Sequence, residues 1–228
     1  MRIGTWNIEN RLMTEEHQKL LLREDVDIWL LTEMNRKCAD VAGEKVLHFN
    51  CHLSSEVMGR NQHWAAVLSI LPLDGVDDPH VASAAAVVNG VTYCSTILPW
   101  RSVEANSTPW VGSNHSEMTE NAIETLLIEL PKSDLVWGGD WNHSLIGKEH
   151  AGSMGGRNHL LEAIQKLGLN VSTTGLSHRG NYCHTIDHIG VPLSWTVESA
   201  KRIKADGLSD HDAYIVEAQE LIRPPDRP

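Results

Sequence analysis

The sequence lacks several features that are typical of particular protein classes. Its 228 residues include only four cysteines, which are widely spaced and form no CxxC pair. Neither a cysteine zinc site nor a dense disulfide framework is therefore expected, and the thiols should be free. The chain shows no signal-peptide pattern and no apolar stretch long enough to cross a membrane. We expect a cytoplasmic protein with no membrane partner.

An excess of positive charge is also missing. The formal net charge is −11 at pH 7 and the pI is near 5.6, which argues against a protein that binds nucleic acid by charge alone. An acidic chain can still be an enzyme that meets phosphate groups through bound cations, because a metal ion inverts the local electrostatics. The GxxxxGK[ST] loop of nucleotide-binding proteins and the HExxH pair of zinc enzymes are absent from the sequence as well.

The apolar pattern predicts an α/β protein with a strand-rich middle. The predicted strands are Ile3–Ile8, Val26–Leu31, Val46–Leu53, Trp64–Ile70, Val81–Val88, Val91–Leu98, Leu135–Trp137, Thr185–Gly190, Trp195–Lys201 and Ala213–Ala218. The predicted helices are Glu15–Arg23, Ser116–Leu130 and Leu160–Leu167. Thr14 is the expected N-cap of the first helix.

The connections between these elements contain no obvious domain boundary. Trp100–Asn114 is interpreted as a long surface loop, and Gly147–Asn158 as a flexible, glycine-rich connection. The sequence has neither a linker nor an internal repeat. We therefore predict one domain over residues 1–222, followed by a disordered tail over residues 223–228.

One strand end carries an unusual pair of polar side chains. Gly138 and Gly139 follow the buried strand Leu135–Trp137 and are expected to let the backbone turn sharply. Asp140 and Asn142 come next, two residues apart, and so point to the same side of an extended segment. The pair predicts either a catalytic site or an Asx-type turn in which both side chains bond nearby backbone.

Similar polar groups recur at the ends of other predicted strands. The full set is Asn7, Glu33, Asp140, Asn142, Asp187, Asp210 and His211. Carboxylate and carboxamide oxygens are hard ligands that suit Mg²⁺ or Mn²⁺. A histidine among them can handle protons near neutral pH, and an acid such as Asp187 can orient it. The thirteen histidines suggest zinc as an alternative, but no Cys/His cluster supports that reading.

Five short motifs occur in an order that is typical of one known family. They are Thr5-Trp6-Asn7, Leu31-Thr32-Glu33, Gly139-Asp140-Trp141-Asn142, Ile186-Asp187-His188 and Ser209-Asp210-His211. In these motifs the chain resembles the endonuclease/exonuclease/phosphatase family, the DNase I-like phosphoesterases. The resemblance implies an α/β four-layer sandwich, in which two packed mixed β-sheets are flanked by helices.

The resemblance also implies a metal site. Glu33 would be the principal ligand of the cation, with Asn7 beside it and Asp210 as a further contact. Mg²⁺ is the expected ion, and Mn²⁺ is an alternative.

The same resemblance assigns roles in the reaction. Asp140 would activate or orient the attacking water, and Asn142 would hold the phosphate. His211 would stabilise the phosphate charge or transfer a proton, and Asp187 would orient His211.

Two positions depart from the family pattern. Thr32 stands where the family usually has Gln, and Ile97 stands where a His or Tyr normally contacts the phosphate. Arg101 or His115, which are near in sequence, would substitute as substrate contacts.

We therefore expect a Mg²⁺-dependent phosphoesterase that acts on nucleic acid as a nuclease. The chain has eight Trp against one Phe, and Trp100, Trp110 and Trp141 lie in loop-like sequence where they could stack on bases. A phosphatase or phosphodiesterase of a small phosphoester is the alternative, which the acidic charge favours. A non-catalytic binding module on the same fold is a further alternative.

Overall fold

Two mixed β-sheets pack face to face in the computed structural model, which describes residues 1–40, 42–179 and 182–221. Three α-helices lie outside the sheets: α1 Glu15–Arg23, α2 His115–Glu129 and α3 Met154–Lys166. A short 3₁₀ helix covers Arg36–Cys38. The tail predicted over residues 223–228 lies outside the described residues.

The first sheet contains both ends of the described chain. Its strands are, in spatial order, β13 Trp195–Ile203, β14 Ala213–Glu220, β1 Arg2–Asn7, β2 Ile28–Asn35, β6 Gln62–Ser69, β4 Phe49–Leu53 and β3 Lys45–Val46, and β5 Val57–Gly59 also pairs with β6. β1 and β2 run parallel, whereas the other neighbours are antiparallel.

The second sheet has the same mixed character. Its strands are, in spatial order, β11 Leu169–Val171, β12 Asp187–Pro192, β10 Leu135–Asp140, β9 Val91–Thr96, β8 Ser83–Val88 and β7 Asp74–Val76. β9 and β10 are parallel, and the remaining pairs are antiparallel. The Asn89-Gly90 hairpin between β8 and β9 is as the dipeptide predicts.

The strands bury opposite faces against different layers because successive side chains alternate. Leu30 and Val136 face the core between the two sheets. Leu31 points outward and packs with α1, whereas Trp137 points outward and packs with α2 and α3. The order is therefore helix, sheet, sheet, helix, and the predicted four-layer α/β sandwich is confirmed.

Several element boundaries differ from the sequence prediction. The strand predicted at Val46–Leu53 is divided into β3 and β4, because Leu47 has a positive φ of 57° and turns the chain. The flexible connection predicted at Gly147–Asn158 is wrong over its second half, where Ser153 caps α3 and accepts a hydrogen bond from Gly156 N. A Cβ on Gly156 would overlap the ring of His143, so that glycine serves close packing.

The structure also bears on the predicted free thiols and on the length and polarity of the helices. Cys38, Cys51, Cys94 and Cys183 are all free thiols, as predicted. None of the helices in the described part of the chain is long and apolar enough to cross a membrane.

Candidate active site

The site lies where the ends of four strands meet. Asn7 is the last residue of β1, and Asp140 is the last residue of β10. Asp187 begins β12 and pairs directly with Asp140 across the second sheet. His211 lies two residues before β14, which is antiparallel to β1. Because β14 is antiparallel to β1 and β12 is antiparallel to β10, the carboxyl ends of β1 and β10 and the amino ends of β12 and β14 converge at one edge of the sandwich.

Asp140, Asp187 and His211 form the tightest cluster. His211 Nδ1 lies 2.8 Å from Asp187 Oδ2, and His211 Nε2 lies 3.8 Å from Asp140 Oδ2. The ligand atoms of the three residues lie within 4.8 Å of one another. Asp187 is fully buried, and its Oδ1 has no hydrogen-bond partner among the described residues.

Asn7 joins this cluster to Glu33. Its Nδ2 donates hydrogen bonds of 3.0 Å both to Glu33 Oε1 and to Asp140 Oδ2. Asn7 Oδ1 accepts a hydrogen bond from Glu9 N at 2.9 Å, which fixes the orientation of the amide. Gln62 Nε2 donates to the other oxygen of Glu33 at 3.2 Å. Two carboxylates are thus held close together by a neutral amide.

The backbone is strained where it presents these groups. Glu33 has a φ of 53° and Asn142 a φ of 51°, values that non-glycine residues adopt infrequently. Thr32 pairs with Ala65 and Met34 with His63, so the irregularity at Glu33 falls inside a ladder that is regular on both sides. Strain of this kind persists where the surrounding structure enforces it, and it often accompanies functional sites.

Gly138 and Gly139 do not form the sharp turn that the sequence suggested. Both lie within β10, which continues to Asp140. Gly139 has a φ of 123°, and a Cβ on it would overlap the carbonyl oxygen of Thr96. A Cβ on Gly138 would lie 2.7 Å from the carbonyl oxygen of His188. The glycines allow close backbone approach on both sides of β10.

The two interpretations of Asp140 both describe part of its geometry. Asp140 Oδ1 accepts a hydrogen bond from Asn142 N at 3.0 Å, which is the Asx-type turn. Asp140 Oδ2 instead faces Asn7 and His211. Asn142 Nδ2 donates to Leu98 O at 3.0 Å, which ties this turn to the segment after β9.

The charges in the cluster are strongly coupled. Burial disfavours a charged imidazole, but the carboxylates of Asp187 and Asp140 outweigh it and raise the pKa of His211 to about 10. Burial raises the pKa of Asp140 to about 6, against the effect of the His211 charge. Burial also raises the pKa of Glu33, which the Asn7 hydrogen bond lowers and the Asp140 charge raises. The two carboxylates thus favour the protonated, imidazolium form of His211.

Comparison of the sequence with family models decides the family. The model of the Endonuclease/Exonuclease/phosphatase family matches residues 4–211. The chain belongs to this family. No curated protein matches the chain.

Solved structures of the endonuclease/exonuclease/phosphatase type share the fold. The endonuclease domain of TRAS1, a telomere-specific non-LTR retrotransposon, is 16% identical with a TM-score of 0.65, over 97% of this chain and 99% of that one. A family protein from Beutenbergia cavernae is 16% identical with a TM-score of 0.66, over 96% and 71%. D. rerio TDP2 complexed with single strand DNA product is 13% identical with a TM-score of 0.60, over 96% and 98%.

Asp210, which the family resemblance made a metal ligand, lies at the rim of the site. It is exposed, and its backbone N donates to Glu9 Oε2 at 3.0 Å. Its charge contributes to the raised pKa of Glu33 and of Asp187. Among the described residues, the cluster of converging ligand atoms consists of Asp140, Asp187 and His211, and includes neither Glu33 nor Asp210.

The predicted substitutes for the missing family His or Tyr are engaged in local contacts. Ile97 is 1% exposed and belongs to the core under the second sheet. Arg101 Nε donates to Gly152 O at 2.8 Å. His115 Nδ1 lies 3.0 Å from Ser153 Oγ and its Nε2 lies 2.9 Å from Pro99 O, so both ring nitrogens are occupied.

The tryptophans that were expected to stack on bases are largely buried. Trp110 and Trp141 are 1% and 0% exposed, so the stacking prediction is wrong for these two residues. Trp141 packs against Trp137, with ring centroids 4.3 Å apart. Trp100 is half-buried and meets Trp110 edge-on at 5.0 Å. Trp110 and Trp141 belong to the apolar cluster that includes residues of α2 and α3. This packing determines their burial, although the local sequence is typical of a loop.

Two further residues near the site carry no signal in the sequence. Gln62 holds Glu33 through its side chain, and the ring of His178 lies edge-on to His211 with centroids 5.4 Å apart. His178 belongs to an irregular segment before β12. Neither residue is part of a motif, so only tertiary structure reveals its position.

Proposed function

We propose that the protein hydrolyses phosphodiester bonds of nucleic acid with the help of a divalent cation, Mg²⁺ or Mn²⁺. The observation that carries the proposal is the arrangement of His211 between two buried carboxylates, with Asp187 at 2.8 Å on one side and Asp140 at 3.8 Å on the other. Membership of a phosphoesterase family supports the same reaction class.

The residues present fit a divalent cation. Glu33 and Asp140 hold carboxylate oxygens near each other, and only a neutral amide lies between them. Asp187 has a buried oxygen without a partner among the described residues. Such oxygen donors suit Mg²⁺ and Mn²⁺ better than zinc. We assign Glu33 as the residue that would hold the ion, with Asp210 as a further contact at the rim. A bound cation neutralises charge that develops on the phosphate oxygens.

We assign the remaining roles in the reaction to four side chains of the site. Asp187 keeps His211 protonated and oriented, so that Nε2 can donate to a phosphate oxygen. Asp140 Oδ2 orients the attacking water, and the raised pKa of its carboxyl suits it to accept a proton. An asparagine amide has two N–H bonds, of which Asn142 uses one for Leu98 O. We assign the other to the phosphate.

Nucleic acids and small phosphoesters are the two candidate substrate classes, and we favour nucleic acid. Two of the similar structures are described as an endonuclease domain and as a complex with single strand DNA product. The net charge of −11 instead favours a small phosphoester, such as a sugar, inositol or nucleotide phosphate. A cation at the site offsets the local negative charge, which removes the main objection to a polyanionic substrate.

The test is a substrate panel with and without Mg²⁺: plasmid, single-stranded DNA, RNA, abasic duplex and small phosphoesters. We expect cation-dependent cleavage of at least one nucleic acid. Turnover confined to small phosphoesters would contradict the nucleic acid proposal. Absence of turnover on every substrate would favour a non-catalytic binding module.

The turnover and the melting temperature of variants distinguish a catalytic residue from one that only stabilises the fold. His211→Ala and Asp140→Asn should each lower turnover by at least ~10². Because burial raises the pKa of Asp140, its charge opposes folding at neutral pH, so Asp140→Asn should melt no lower than the wild type. The exposed Asp74→Asn on the edge strand β7 is the matched control. A lower melting temperature with full activity per folded molecule would make Asp140 a structural residue.

A further inference from the structure

A cavity of about 570 Å³ lies near the site, and the ring of His178 lies between its lining residue His150 and His211. It lies between the loop after β10 and the segment before β12, in which Ser177 pairs antiparallel with His184. Its lining includes Lys148, His150 and Tyr182. The volume is within the range of roughly 300–1,000 Å³ that is usual for ligand pockets.

Three imidazole rings connect the cavity to the catalytic cluster. His150 lines the cavity, and its ring lies 5.7 Å from that of His178, which in turn lies 5.4 Å from His211. The cavity wall is tied to the same strand end. Arg202 donates to Ser177 Oγ at 2.8 Å and to Asp212 Oδ2 at 2.7 Å, and Asp212 directly follows His211. A molecule in the cavity is therefore separated from His211 by the ring of His178 and held in a fixed relation to the cluster.

The chemistry of the lining combines an aromatic face, a cation and an unpaired ring nitrogen. Tyr182 is 96% exposed at the cavity. Lys148 is exposed beside it. His150 of the lining has a buried Nε2 that no hydrogen-bond partner reaches among the described residues, and the same holds for Nδ1 of His178, which is outside the lining. A nucleotide unit presents the complementary groups: a flat base, an anionic phosphate, and polar atoms on the base edge and sugar.

We propose that this cavity binds the nucleotide next to the scissile phosphate, with its base on the ring of Tyr182 and its outer phosphate near Lys148. This inference rests on the proposed nuclease function and names the part of the substrate that the cavity recognises. Tyr182 takes the stacking role that the sequence suggested for tryptophans, of which Trp110 and Trp141 have no exposed face. The contact supplies attraction beyond charge, which an acidic protein needs in order to hold a polyanion.

Binding is measured without cleavage, by fluorescence anisotropy of a labelled single-stranded oligonucleotide that has a cleavage-resistant phosphorothioate backbone, in the presence of Mg²⁺. Tyr182→Ala should weaken binding roughly ten- to a hundred-fold, as the loss of one base stack does. Tyr182→Phe keeps the ring and should stay within about two-fold of the wild type. Equal binding by wild type and Tyr182→Ala would overturn the stacking contact.

The phosphate contact has its own signature in the salt dependence of binding. Lys148→Gln should reduce the magnitude of the slope of log K against log[salt] by about 0.7, which corresponds to one contact on a single strand. Lys166→Gln is the matched control, since Lys166 is exposed near the other end of α3 and should leave the slope unchanged. The same slope for Lys148→Gln and the wild type would remove Lys148 from the interface.

Kinetics separates failure of this inference from failure of the proposed function. In Mg²⁺, Tyr182→Ala should lower kcat/KM on the oligonucleotide at least about ten-fold more than on bis(p-nitrophenyl) phosphate. An unchanged ratio, with a wild type that cleaves oligonucleotides, overturns the inference and keeps the nuclease. A wild type that cleaves only small phosphoesters overturns both.

Discussion

Gly139→Ala tests whether the close approach of β9 to β10 requires a glycine next to Asp140. Gly139 has a φ of 123°, where an L side chain is strained, and such a conformation costs about 1–3 kcal/mol. The new Cβ would also overlap the carbonyl oxygen of Thr96 and lie 2.7 Å from Thr96 N. Backbone cannot rotate away, so overpacking adds about 1–3 kcal/mol. The predicted loss is about 2–6 kcal/mol in the free energy of unfolding, a large part of the ~5–15 kcal/mol that is typical of a domain.

The measurement is urea unfolding of the wild type, Gly139→Ala and a control. Gly168→Ala is the control, because Gly168 also has a positive φ of 62° but its Cβ would meet no atom within 4 Å. It should lose only the left-handed backbone term, about 1–2 kcal/mol. Equal losses in the two variants, or a loss below about 1 kcal/mol at Gly139, would show that close approach to β9 does not govern this position.

Two further predictions concern the metal and the effect of pH on stability. Glu33→Gln keeps the side-chain size but removes an anionic ligand, so Mg²⁺ affinity measured by calorimetric titration should fall; unchanged affinity in a folded variant would exclude Glu33 from the site. Burial lowers the pKa of His80 to about 4, whereas an unfolded histidine titrates near 6.5. The unfolded state therefore binds more protons between these values, and stability is lost as pH falls through this window, by about 2 kcal/mol at pH 5. His80→Asn retains an acceptor for Ala82 N and should flatten this dependence in urea unfolding at pH 7.5 and 5; the wild-type slope in the variant would refute the assignment.

The sequence predicted the architecture well because strand and helix periodicities are local. Buried apolar runs such as Val26–Leu31 and Val91–Leu98 correspond to β2 and β9 to within a few residues. Polar residues at the ends of other predicted strands also converge as expected, since Asn7 lies within hydrogen-bonding distance and His211 within ion-pair distance of Asp140. Periodicity locates the strand ends, and the order of the motifs identifies the family.

Features that depend on contacts between distant segments were not predictable. The positive φ of Glu33 arises within β2 although the local sequence reads as an ordinary strand end. Gly139 is glycine because Thr96 of a neighbouring strand approaches it, which no pattern around Gly139 encodes. Trp110 is buried by packing against Trp64 of β6, in the first sheet, with ring centroids 5.2 Å apart. In each case tertiary packing decides a property that local sequence leaves open.

The charge balance of the cluster argues for a functional site over a stabilising ion-pair network. A network selected for stability would place a permanent cation between Glu33 and Asp140, because unpaired buried carboxylates cost free energy. The fold instead places the neutral amide of Asn7 there, and burial raises the pKa of both carboxyls. His211 supplies one positive charge, and it is already shared between Asp140 and Asp187. The site therefore keeps a negative charge that folding alone disfavours, and this charge supports the proposal that a divalent cation binds there together with a phosphate ester.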